Sequence, residues 1–225
     1  MTDLNKKAIG GLVRLLIILV GLVFLPAWTL DYWQAWVFVV VFFVSALAIS
    51  LYVMKNDPSL LERRVHAGPR AEKEKSQKII QSLASVMFLV AVVFPAIDHR
   101  FRWSAVPPLV VIAGDVLIAV GFLIVFLVFK ENTFASATIK VDSGQRVVST
   151  GPYAVVRHPM YMGGCCIFAG VPLALGSWWG LLLLVPSTAV MVWRLLDEEK
   201  LLVKSLPGYS EYRTKVRHRL VPLVW

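Results

Sequence analysis

A chain of 225 residues that is 58% hydrophobic and only 16% charged carries more apolar side chains than a soluble domain of that size can bury. Its net charge of +9 would suit nucleic acid, but the lysines and arginines cluster in the gaps between apolar runs, as in loops at a lipid surface, which excludes a nucleic-acid partner. The only cysteines, Cys165 and Cys166, are neighbours inside an apolar run, which excludes a disulfide framework and zinc-ligand spacing.

A bilayer-spanning helix needs about 20 apolar residues. The first such run is Ile9–Leu30, broken only by Arg14, which can snorkel; it is long and has no small-residue cleavage site, so no cleavable signal is expected. The second run, Trp33–Met54, opens on interfacial tryptophans. In the polar stretch 55–78, Asp57 is predicted to cap a short amphipathic helix with Pro58 at its first position, lying along the membrane surface. Ile79–Ile97 and Leu109–Phe129 are the third and fourth runs. A long polar excursion, 130–157, follows, with a turn predicted at Asp142-Ser143-Gly144. The fifth run, Met160–Leu175, is short for a full span and meets the sixth, Ser177–Leu196, at Gly176, so the two are predicted to form a hairpin. A basic tail, 197–225, ends in an apolar stretch.

Lysines and arginines number three from the N-terminus through Arg14, seven in 55–78, four in 130–157 and seven from Arg194 on. The gap before Pro107 holds two and the remaining gaps none. This bias predicts both termini and the loops 55–78 and 130–157 in the cytoplasm, with six crossings. The expected fold class is an all-α polytopic integral membrane protein of the cell inner membrane, with about six membrane-crossing helices and a cytoplasmic site. Residues 1–129 are expected to form the N-terminal transmembrane helices, with the cytoplasmic loop 55–78, and 130–225 the region that carries the site.

The stretch 151–164 concentrates function where polar meets apolar sequence. It brings Tyr153, Arg157, His158 and Tyr161 together between Pro152, Pro159 and a glycine pair that permits close packing. Arg194 and Glu198, one turn apart on the sixth helix, either pair with each other or face a ligand. A transporter would place polar groups at mid-bilayer and show repeated halves; neither pattern is present. His66 and His218 lie in basic, solvated segments, His99 falls on the opposite side, and the cysteines read as packing residues.

Three motifs in order carry a resemblance: Arg157-His158-Pro159-x-Tyr161-x-Gly163, then Glu198-Glu199, then Pro207-Gly208-Tyr209-x-x-Tyr212 running to Arg219-Leu220-x-Pro222. Together they resemble the isoprenylcysteine carboxyl methyltransferase family, from about Asn132 to Trp225. The resemblance implies S-adenosyl-L-methionine as cofactor and a lipophilic acceptor entering from the bilayer, with carboxylate O-methylation favoured. It implies cofactor contacts from Gln145, Arg146, Val147, Val148, Tyr153, His158, Pro159, Met160, Tyr161 and Glu198, and it makes Arg194 the catalytic, acceptor-orienting arginine. Those residue types suit a ligand that has a carboxylate, an ammonium and an adenosine but no phosphate. Thr138 departs from the family's glutamine and is left out of the site. Phospholipid N-methyltransferases, small-thiol S-methyltransferases and NADPH-dependent sterol reductases, which share parts of these motifs, are the alternatives.

Overall fold

A computed structural model describes residues 2–65, 68, 71–72, 74–139, 141 and 143–225. His66 and Asp142, named above, lie outside the described residues. Among the described residues the regular structure is all helical: α1 (Asp3–Ala27), α2 (Trp33–Asn56), α3 (Pro58–Val65), α4 (Lys75–Phe101), α5 (Pro108–Glu131), α6 (Pro159–Ala174), α7 (Leu184–Ser205) and α8 (Tyr209–Lys215). Short 3-10 turns at Gly151–Ala154 and Trp179–Leu183 precede α6 and α7.

Among the described residues, five helical stretches are long and apolar enough to cross a membrane: α1, α2, α4, α5 and Trp179–Ser205, which joins the second 3-10 turn to α7. Their outward faces carry side chains such as Leu25, Leu109 and Val185, each more than 70% exposed, as suits contact with lipid. The fifth expected run, α6, has 16 residues and falls short of that length, as its sequence indicated. Several helices outrun their apolar cores. Thr2 Oγ1 accepts the Asn5 N–H, so α1 starts well before Ile9. Helix α7 likewise continues past Leu196 to Ser205, which places Glu198 and Glu199 on a helix.

Helix α6 packs most closely on α5. Gly121 faces Gly163 and Gly114 faces Gly170, an antiparallel pairing in which each helix presents glycines two turns apart. A Cβ on Gly121 would stand 2.6 Å from the Gly163 carbonyl oxygen, and one on Gly170 2.6 Å from that of Gly114. Only glycine allows so close a backbone approach. The predicted α6–α7 link is more elaborate than a hairpin at Gly176. Gly176 does adopt φ +72°, but Ser177 turns inward and donates to Asp98, which also accepts from Ser104 (2.7 Å). Tyr32 stacks on His99 at 3.7 Å and donates to the Leu175 carbonyl, closing this end of the bundle. Trp178 and Trp179 are exposed beside it.

The opposite end gathers the polar sequence. Asp57 Oδ1 accepts the Leu60 N–H (2.9 Å) and Pro58 opens α3, as predicted. Leu60 and Leu61 then bury against Val53, Val128, Phe129 and Ala135. At the same end Leu206, Tyr209 and Tyr212 form a small core with Val147, Tyr153 and Val216. The tail thereby lies over the start of α6.

Candidate functional site

Where α6 begins, the backbone of residues 157–158 is tied to the tail. The Arg157 and His158 N–H groups donate to the carbonyls of His218 and Arg219, both at 2.9 Å. Arg157 Nη1 donates to the carbonyls of Val216 (2.9 Å) and Arg217 (2.8 Å), and its Nε to Glu199 Oε1 (2.8 Å). Glu199 also accepts from Arg219 (2.9 Å) and lies 3.8 Å from Arg213 and 4.0 Å from His158 Nε2. This buried carboxylate therefore serves as a scaffold joining α7, the α6 start and the tail. Removing one partner of so buried an ion pair costs about 3–5 kcal/mol.

Glu198, one residue earlier, points elsewhere. It accepts the Tyr161 hydroxyl at 2.6 Å and lines a cavity of about 320 Å³. The volume is that of a small-molecule pocket. The same cavity is lined by Gln145, Arg146, Val147, Val148, Tyr153, His158, Pro159, Met160 and Tyr161, and by Arg194. All the residues expected at the cofactor and acceptor sites thus share one wall, although α6, α7 and the loop between α5 and α6 supply them separately. Asn132 Nδ2 donates to the Tyr153 hydroxyl (2.9 Å), and Tyr212 donates to the Tyr153 carbonyl (2.7 Å).

Two polar atoms on this wall are buried without a hydrogen-bond partner: His158 Nε2 and the Tyr209 hydroxyl. Burial holds the His158 imidazole below its usual range, reinforced by Arg157 and Arg219 and opposed by Glu198 and Glu199. His158 is therefore neutral near pH 7. Burial likewise pushes Tyr153 up to about 12, against the Asn132 amide and with Glu198, and raises Tyr209, so both phenols stay protonated. Orphaned donors and acceptors on a cavity wall are what a polar ligand satisfies. This donor set fits S-adenosyl-L-methionine: a carboxylate for an ammonium or ribose, hydrogen-bonding groups for a carboxylate, and aromatic and aliphatic walls for the adenosine. Among the described residues no group of three or more His, Cys, Asp or Glu side chains could hold a metal ion.

Arg194 does not pair with Glu198. Its Nη2 donates to Glu72 Oε1 (2.9 Å) and the Ala137 carbonyl (3.0 Å), and its Nη1 to Gln77 Oε1 (3.2 Å). Glu72, only 4% exposed, also accepts the Ile139 N–H at 3.3 Å. Neither Glu72 nor Gln77 was identifiable from the sequence, because each lies more than a hundred residues from Arg194. Arg64, Gln81, Asn132 and Thr138 also line the cavity without having been assigned to it. For Asn132 the Glu131-Asn132-Thr133 polar step at the end of an apolar run was the available signal. Cys165 Sγ contacts Met191 Sδ at 3.3 Å, in keeping with a packing role. His99 lies at the far end of the bundle, away from this cavity.

No curated protein matches the chain significantly. Residues 109–207, from the start of α5 to the turn after α7, match the family described as phospholipid methyltransferase. Within that segment, which contains most of the cavity wall, the chain is similar to this family of membrane methyltransferases, the group into which its resemblance to isoprenylcysteine carboxyl methyltransferases falls.

Proposed function

We propose that the protein transfers a methyl group from S-adenosyl-L-methionine to a lipophilic acceptor that reaches the cavity from the bilayer. One observation carries this reading: a single cavity gathers Glu198, the unpartnered His158 Nε2, two protonated tyrosines and Arg194 at the polar end of an apolar bundle. The cofactor, when bound, supplies a methyl carbon already activated by positively charged sulfur. The protein's work is then binding, alignment and exclusion of water more than acid–base chemistry. Glu198 holds a cationic or hydroxyl group, with its carboxylate oriented by Tyr161. Neutral His158 offers a ring nitrogen. The tail clamp through Glu199 covers the pocket.

A carboxylate acceptor needs no deprotonation, and Arg194 has the planar fork that orients one. A lipid amine is a second acceptor class: Glu72 already occupies the Arg194 fork, which leaves that arginine less free to take an acceptor carboxylate. Binding measured by calorimetry on the purified full chain in detergent tests the cofactor assignment. Wild type is expected to bind S-adenosyl-L-methionine, and Glu198→Ala to bind it at least tenfold more weakly, a loss of about 1.5–3 kcal/mol for an unpaired charged group. Binding of NADPH in its place would move the assignment to a reductase. Labelled methyl donor given to membranes would identify the acceptor from the labelled lipid.

A further inference from the structure

Among the guanidiniums that line the cavity, that of Arg64 is not balanced as that of Arg194 is. Arg64 stands at the end of α3, whose other anchors are the Asp57 cap and the buried Leu60 and Leu61. Its Cζ lies 4.9 Å over the Phe129 ring, and its Nη1 donates to the Ser136 carbonyl (3.2 Å) and lies 3.9 Å from Met160 Sδ. The guanidinium is thus wedged between the end of α5, the 134–139 segment and the first turn of α6, facing the cavity. Arg194 is neutralised by Glu72 at 2.9 Å, whereas among the described residues no carboxylate lies within ion-pair distance of Arg64. Burial and the nearby charge of Arg194 lower the Arg64 pKa to about 10, so it remains a cation at neutral pH. Most of its five N–H donors are left over after one carbonyl bond. Keeping such a charge half-desolvated is unfavourable unless an anion joins it.

We propose that Arg64 is a ligand-binding residue that takes the anionic group, a carboxylate or a phosphate, of a molecule bound in this cavity. That group is either the cofactor's own carboxylate or the head of the lipid acceptor. The naming of those two sources rests on the methyl-transfer reading; the anion seat itself rests on Arg64's surroundings. Ser136 and Phe129 hold the guanidinium in place, and planar donors then meet the anion in a fork.

The test uses the full chain in neutral detergent and two pairs of probes. The first pair is S-adenosyl-L-methionine and its decarboxylated form, which keeps the ammonium and sulfonium and lacks only the carboxylate. The second is tetradecyl phosphate or tetradecanoate against tetradecanol. Arg64→Gln should weaken the member that bears the carboxylate or phosphate in at least one pair tenfold or more and leave the member without it within twofold. The pair affected tells cofactor from lipid. Lys204→Gln, the same charge change on an exposed residue at the same end, should change neither. Equal weakening of the members with and without the carboxylate or phosphate would mean that Arg64 only supports the wall, and no change in either pair would remove it from the site; both overturn the proposal. If Arg64→Gln does not fold, Arg64→Lys decides: it should keep a preference for the member with the carboxylate or phosphate, and its loss in a folded protein overturns the seat. Failure of wild type to bind either adenosine probe defeats the methyl-transfer reading alone, since the amphiphile pair still reports on Arg64.

Discussion

Arg194 braces the cavity wall and, on the reading proposed above, orients the acceptor as well. Its fork spans Glu72, Gln77 and the Ala137 carbonyl, so it braces the 137–139 segment against α4 and α7 while lining the cavity. Lysine at this position keeps the charge next to Glu72 but cannot satisfy three acceptors in one plane. Arg194→Lys is therefore expected to leave S-adenosyl-L-methionine affinity within a few-fold while turnover falls by roughly two orders of magnitude, because alignment of the acceptor is lost. Affinity and turnover measured on one preparation check this, and unchanged turnover would make the arginine purely structural. At this scale the residue types were legible and their partners were not. One helical turn separates Arg194 from Glu198, and local geometry favours that pair. A buried acid from far along the chain wins instead, since Glu72 has no water to solvate it and Glu198 has the Tyr161 hydroxyl.

Elements were read from apolar runs, and runs locate helices better than helix ends or partners. Ends follow caps and breakers: Thr2 extends α1 into polar sequence, and α7 runs on until just before Pro207. Partners are harder, because a helix apolar on every side has no hydrophobic stripe to aim, and lipid is as apolar as leucine. The legible signal was the spacing of glycines, Gly114 with Gly121 and Gly163 with Gly170, of which only the residues around Gly163 drew notice. This contact predicts a contrast between two alanine substitutions. Gly121→Ala should lower the melting temperature in detergent by several degrees, for about 1–3 kcal/mol of overpacking. Gly11→Ala, where nothing lies within 4 Å of an added Cβ, should not lower it. Equal behaviour of the two would mean that α5 and α6 are not held by backbone contact.

For the whole molecule, the helices run alternately between one end rich in charge and one closed by Tyr32, Asp98 and Ser177. The arrangement matches the alternation inferred from lysine and arginine counts, and that count predicts which end is cytoplasmic. Single cysteines at exposed Ser143, Ser210 and Ala105, in a protein whose Cys165 and Cys166 are replaced by alanine, test the prediction. The first two should react only from the cytoplasmic side and the third only from the other; labelling of Ser143 from outside would reverse the orientation. Ser177 is unsuitable as a reporter because it is fully buried. The shortness of α6 has a consequence for depth. Sixteen residues reach about 24 Å, roughly 6 Å less than a hydrocarbon core of about 30 Å. If its far end lies level with those of its neighbours, His158 sits beneath the plane they reach. The floor of the cavity is then sunk into the leaflet, and a lipid can present its reactive atom there while its chains stay among other chains, with no need to be lifted into water.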